Sequence, residues 1–291
     1  MFFRRITMAS VVFVFSCSTA NLDVKEKHDI LFSQSGVLGE ENNLSSINNA
    51  KENANSYEIE KRQEIDDIYL LLAMSVVYKN WQSVNVLKEN RRGHNIGGVL
   101  VGPDLKPIFW ARNARHATKN ASQHAEVRIV SSYLMCPGTP SYLANNYTLY
   151  SSLEPCLMCT GMLSLTRLDR AVFAQKDTGY GDVDKRLLLD TSNIGGYSPY
   201  PNVVQLQSHS SGWTNELNAA YKSWKLLDRK NISITDWLLS DNAEIHFRKS
   251  EQRLLNYRSE YENEDILSAA INYLQLVTVE FEKDLSKFCP E

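Results

Sequence analysis

"LEPCLMC", residues 153–159, sets Cys156 and Cys159 one helical turn apart, with Pro155 directly before the first. A C-x-x-C pair serves zinc sites and thioredoxin-like dithiols alike, and two such cysteines can also simply pack. The choice depends on whether the chain supplies a third ligand and a proton carrier. "QHAEVR", residues 123–128, offers both, as His124 and Glu126. Each motif is followed by an apolar-periodic stretch, so each is expected to open a helix, the first with Ser122 as its N-cap. A helix start turns backbone N–H groups and positive dipole toward whatever lies there, and it lowers a thiol's pKa. One imidazole and two thiolates give zinc three ligands and leave the fourth tetrahedral position open, as in catalytic sites. Glu126, two residues past the histidine, is then the proton carrier: zinc brings the pKa of water to about 7, and a carboxylate can relay the proton.

The surrounding pattern reads as α/β. Ile65, Ile68, Tyr69, Leu72 and Val76 mark one apolar face of a helix over 58–90. "IGGVLV" and "IFWA", split by the turn cluster "GPDLKP", read as a β-hairpin. A helix over 122–135, a strand "NYTLYSS", a helix "CLMCTGMLSLTRL", a strand "RAVFAQ" and a helix from "SGWTNEL" onward follow. Strands alternating with helices indicate a sheet with helices packed on it. Residues 231–291 carry two or three further helices.

The joint pattern H-x-E…P-C-x-x-C is the signature of zinc-dependent nucleobase deaminases. From about residue 67 to about 225 the chain resembles the cytidine deaminase superfamily, bacterial tRNA adenosine deaminases above all and guanine deaminases next. "IGGVLV", "HAE", "LEPCLMC" and "RLDRAVFAQKD" carry the likeness. The resemblance implies a three-layer fold around a mixed five-stranded sheet, with the two motif helices on one face. It implies one zinc per chain on His124, Cys156 and Cys159, Glu126 as the catalytic residue, and Asn113 in "ARNARH" touching the base. It also implies hydrolytic deamination of a nucleobase, most naturally a purine: adenine in RNA such as tRNA, or a free purine base or nucleoside. "RHATKNASQHAE" departs from the relatives' "DPTAHAE", and residues 177–203 are long and irregular. A silent zinc-containing nucleic-acid or nucleotide binding module and a secreted deaminase effector remain alternatives. So does a redox role for the cysteine pair.

Outside this body the chain divides into three expected segments. Residues 1–17 have Arg4 and Arg5, a short apolar run and a lipobox-like Val14-Phe15-Ser16-Cys17, which reads as a signal segment with Cys17 as lipidation site. Residues 18–58, rich in Asn, Ser and Glu, read as a flexible tether. Residues 59–228 form the deaminase domain and 229–291 a helical extension. Export as a periplasmic or outer-envelope lipoprotein anchored at a membrane follows from the first segment; a cytoplasmic location fits a tRNA substrate better.

Hydrophobic content of 43% and charged content of 22% suit a soluble globular body. The net charge of -3 hides a basic centre between acidic flanks. A basic centre suits an anionic ligand such as RNA or a nucleotide, and equally a plain solvated surface. Cys136 and Cys289 are expected as buried free thiols. His94, His116, His209 and His246 show no ligand spacing. Tyr180, Tyr197 and Tyr200 are placed to stack on a base or to pack a loop. A homodimer is one option, through the C-terminal helices, which could equally cover the edge of the sheet or close over the site.

Overall fold

The computed structural model describes residues 37–143, 146–227, 233–280 and 283–290. The signal segment and Cys17 lie outside these residues. Two units divide the chain, Met1–Ala50 and Lys51–Glu291, and all that follows concerns the second.

Five strands, β1 (Gly97–Val101), β2 (Pro107–Arg112), β3 (Thr148–Leu153), β4 (Arg170–Gln175) and β5 (Gln205–Ser208), form one sheet in the order β2-β1-β3-β4-β5. The β1–β2 and β1–β3 pairs are antiparallel, the β3–β4 and β4–β5 pairs parallel, so the sheet is mixed as expected. The predicted hairpin is β1–β2. β5, reading Gln-Leu-Gln-Ser, is a largely exposed edge strand with no apolar alternation to announce it.

Both faces of the sheet are covered, and side-chain alternation assigns residues to each. Val99, Val101, Trp110, Tyr150, Val172 and Ala174 join one apolar cluster. Leu100, Phe109, Ala111, Leu149 and Ala171 join the other, with Ile129 and Val130 of α2 (Ala125–Leu134) and Leu163 of α3 (Leu157–Leu165). The two motif helices therefore share a face. Gly98 lets α2 come close, since a Cβ there would meet Tyr150 O at 2.6 Å and Ile129 Cδ1 at 3.2 Å.

The opposite layer is built from the part of α1 (Val37–Tyr78) from Lys51 onward with α5 (Gly212–Leu226), α6 (Ile234–Trp237), α7 (Asp241–Leu255) and α8 (Glu264–Leu276), while the short α4 (Val183–Leu187) lies against α3. Residues 68–74 of α1 are buried on every side, because its last turns share one core with the sheet and with α5 to α8. The C-terminal helices are thus built into the body: Trp237, Phe247 and Leu254 are fully buried in that same cluster. α1 differs from expectation at both ends. It begins at Val37, inside the stretch read as tether, and ends at Tyr78 rather than near 90. Beyond Tyr78, Gln82 turns inward and exchanges hydrogen bonds with the buried Asn95, fixing a loop instead.

Three acids near the middle of α1 act as internal anchors. Glu64 accepts hydrogen bonds from Ser259 Oγ, the backbone of Glu260 and Tyr261, and Asn263 Nδ2. Asp66 pairs with Arg170 of β4 and accepts the Tyr150 hydroxyl at 2.9 Å. Asp67 receives His209 Nε2 and Trp213 Nε1, both at 2.8 Å.

Cys136 and Cys289 form a disulfide, which corrects the expectation of free thiols. The C-terminal segment runs back along the β2 side, where Phe288 packs on Trp110 and Arg112 Nη2 donates to Thr278 O at 2.9 Å. That return path brings two cysteines 153 residues apart within bonding reach.

Candidate functional site

The site lies beyond the C-terminal ends of the parallel strands β3 and β4, the end of an α/β sheet where ligands commonly bind. The chain leaves β3 through Glu154-Pro155-Cys156 and enters α3, whose N-cap is Cys156. It enters α2 with His124 as N-cap; Ser122 lies further out, donating to Asn120 Oδ1. Each cap's carbonyl accepts the first intrahelical bond, from Arg128 N at 3.0 Å and Thr160 N at 2.8 Å. Two helix starts therefore present the imidazole and both thiols to one point.

The three ligand atoms form a near-regular triangle. Cys156 Sγ is 3.6 Å from His124 Nδ1, Cys159 Sγ is 3.5 Å from it, and the two sulfurs are 3.7 Å apart. Tetrahedral zinc, with bonds of about 2.3 Å to sulfur and about 2.0 Å to nitrogen, needs about 3.6 Å between S and N and about 3.8 Å between the sulfurs. The donor set and its spacing fit one zinc. Electrostatics agree, against the opposing effect of burial: Cys159 and His124 lower the Cys156 thiol to about 4, and Cys156 raises the imidazole of His124. A thiolate beside a half-buried imidazole is an arrangement that a cation satisfies.

Glu126 stands in the first turn of α2, 3% exposed, with Oε2 3.4 Å from Cys159 Sγ. Its Oε1 accepts the hydroxyl of Ser151, a buried residue of β3, at 3.3 Å. Burial raises the pKa of this carboxyl. The motif residues missed Ser151, although a pair of serines in the apolar run "TLYSSL" was a visible irregularity.

A cavity of about 410 Å³ opens over the triad, and His124, Glu126 and Cys156 are in its wall. Leu153 ends β3 and Glu154 follows it, and Asp177 to Tyr180 follow β4. His94 and Arg115 close one side, and Tyr221, Lys225 and Ile234, from α5 and α6, the other. Of the three tyrosines singled out in the sequence, Tyr180 alone lines this cavity. His94 joins the wall although no spacing marked it. Asn113 does not line it. Fully buried, it accepts the backbone N–H groups of His94 and Arg115 on Oδ1, at 3.3 and 3.2 Å, and so fixes two residues that do. Its Nδ2 has no hydrogen-bond partner among the described residues.

Glu154 ties the loop after β4 to the site. Its two oxygens accept Asp177 N at 3.0 Å and Asp182 N at 2.7 Å. Gly181 leaves room for that carboxylate, since a Cβ there would lie 2.3 Å from Glu154 Oε2.

Residues 74–175 match the cytidine and deoxycytidylate deaminase zinc-binding region. The tRNA-specific adenosine deaminase of Rickettsia felis is 30% identical over 105 residues, 36% of this chain and 72% of that protein. That of Bacillus subtilis is 30% identical over 153 residues, 50% of this chain and 92% of that protein. Among solved structures, guanine deaminase from Bacillus subtilis aligns at 21% identity over 57% of this chain and 96% of that one, with a TM-score of 0.33. With a His-Cys-Cys triad spaced for zinc at the heads of two helices, and relatives matched over most of their length, the chain belongs to the cytidine and deoxycytidylate deaminase zinc-binding family.

Proposed function

We propose that the chain removes an exocyclic amine from a purine by hydrolysis, the purine being adenine in RNA or a free base or nucleoside. The observation that carries this is the placement of Glu126, a buried carboxylate in the cavity wall beside a ligand sulfur and outside the ligand set. That both relatives are tRNA-specific adenosine deaminases supports a purine. Zinc, when bound, is a Lewis acid that makes water nucleophilic near neutral pH. Glu126 takes one proton of the water on a carboxylate oxygen and passes it to the ring nitrogen; it then takes the second, from the hydroxyl now on carbon, and passes it to the departing amine. A C–O bond forms, the C–N bond breaks and ammonia leaves. Ser151, hydrogen-bonded to Oε1, keeps the carboxylate turned toward the cavity. The raised pKa favours holding the proton between the two transfers. Asn113 serves the base at one remove, by fixing His94 and Arg115, which are both in the cavity wall.

The test is ammonia release and mass shift on the zinc-loaded full chain. The panel is tRNA, single-stranded DNA, adenosine, guanine, guanosine and cytidine. Activity on a purine substrate is expected, and Glu126→Gln should keep its zinc and lose about 10²–10⁴ in rate. Silence on all of them with zinc bound would favour a binding module instead.

Export is part of the same proposal. The Cys136–Cys289 disulfide supports it, because disulfides persist outside the reducing cytosol. Mass spectrometry of the protein alkylated directly from its native compartment should find this pair closed; a fully reduced pair would oppose export.

A further inference from the structure

Beside the cavity over the triad lies a second one, of about 350 Å³, and His94, Arg115 and Thr235 are in the walls of both. The second is cationic: Lys88, Arg91, Arg115 and His116 line it, against one carboxylate, Asp236. Asp236 is already engaged, accepting Ser233 N at 3.0 Å and Ser233 Oγ at 2.7 Å. Among the described residues none of Lys88, Arg91 and Arg115 belongs to an ion pair.

From this geometry we infer that the two cavities are one site for a nucleoside phosphate, the base over the metal triad and the phosphate among Lys88, Arg91, Arg115 and His116. The inference rests on the deaminase reading only for which end holds the base.

Two of the cations, Arg91 and Arg115, are held in place before any ligand arrives. Arg91 donates Nε to Val86 O at 2.9 Å and Nη2 to Val84 O at 3.1 Å, which fixes the plane of its guanidinium. Arg115 Nη1 lies 3.2 Å from His94 Nε2. Burial and the nearby charge of Arg115 push His94 down to about 4, so it is neutral and accepts that bond. His116 Nδ1 is buried without a hydrogen-bond partner among the described residues, and burial together with the charges of Arg115, Lys88 and Arg91 lowers its pKa. Three cations therefore converge on one half-buried hollow against the single carboxylate of Asp236. Like charges gathered this way repel one another, and a bound phosphate removes that cost while accepting charge-assisted hydrogen bonds. A merely solvated surface would leave the same side chains splayed into water rather than tied to backbone carbonyls and to a neutral histidine.

The test is calorimetric binding to the zinc-loaded full chain carrying Glu126→Gln, so that ligand is not consumed. Probes are adenosine, guanosine and cytidine, each with its 5′-monophosphate, inorganic phosphate, and a single-stranded oligonucleotide of each base. One monophosphate should bind about tenfold tighter than its nucleoside, and the advantage should shrink as salt rises. Lys88→Gln, at an exposed position, should remove part of this advantage and Lys88→Gln with Arg91→Gln nearly all of it, with nucleoside affinity kept within about twofold. If only the oligonucleotide shows a gain that depends on Lys88 and Arg91, the phosphate is that of a polynucleotide backbone and the subsite stands. Equal affinity for nucleoside and monophosphate without such an oligonucleotide gain, a preference that the variants leave unchanged, or no binding of any phosphate-bearing probe at millimolar concentration would overturn the inference. Ammonia is not read here, so loss of the deaminase reading and loss of this one are separate results.

Discussion

Replacing Glu154 by glutamine changes one oxygen for an amide nitrogen in a side chain that bridges the two ends of the 177–182 loop. In the native protein each carboxylate oxygen accepts one backbone N–H, from Asp177 and from Asp182. Glutamine keeps one acceptor and turns its NH₂ group toward the other N–H, so one charge-assisted bond is lost. Such bonds contribute about 1.5–3 kcal/mol, and Glu154 is only 3% exposed, so solvent screens little of it. Asp182 sits at φ 57°, a left-handed conformation that costs a non-glycine residue about 1 kcal/mol and that the bond to Glu154 helps hold. Loss of about 2 kcal/mol, with an m-value of about 2–3 kcal/mol/M, lowers the urea midpoint by about 0.7–1 M. Asp177, Thr178, Gly179 and Tyr180 then lose their fixed place in the cavity wall, and KM should rise about tenfold while kcat stays within about threefold. The zinc ligands are untouched, so zinc content should remain one per chain by elemental analysis. An unchanged KM in a variant that has lost the expected stability would refute the claim that Glu154 positions this wall. Loss of zinc would show that its role is in the metal centre instead.

Cys156→Ala leaves an imidazole and one thiolate, and zinc should fall well below one per chain on dialysis against a mild chelator; full retention would remove Cys156 from the ligand set. Asp66→Asn takes the charge from a buried pair with Arg170 and should cost about 3–5 kcal/mol in urea unfolding. A double-mutant cycle with Arg170→Met should recover much of that loss, and additive losses would show that the pair is not coupled. The variant C136A/C289A opens a clamp spanning 153 residues and should lose about 3–5 kcal/mol of stability by the chain-entropy estimate. Its zinc content should be unchanged, and a loss of metal would mean that the clamp also shapes the site.

Where the sequence was legible, the reason is local. His124, Glu126, Cys156 and Cys159 lie within a few residues of two helix starts, and short apolar runs mark β1 to β4, so spacing carried both site and sheet. What it did not carry depends on long-range packing. β5 is polar because one side of it faces solvent, and only pairing with β4 makes it a strand. Glu64, Asp66 and Asp67 read as part of an acidic flank, yet their partners sit on β3, β4 and the C-terminal segments, 84 to 199 residues away. His94 and Arg115 reach the cavity because β2 ends beside the loop before β1, a neighbourhood that no linear pattern encodes. The disulfide likewise needed the return path of the last segment over Trp110.

The outer wall of the cavity comes from a different stretch of the chain than its floor. His124, Glu126, Cys156 and Cys159 fall inside residues 74–175, whereas Tyr221, Lys225, Ile234 and Thr235 come after it. The metal-ligand floor and this part of the wall are thereby written in separable parts of one polypeptide. Point changes at Tyr221, Lys225, Ile234 and Thr235 alter the wall without touching a metal ligand. For an engineer, that makes α5 and α6 the place to randomise when a new specificity is wanted, with residues 122–159 held constant as the chemical engine.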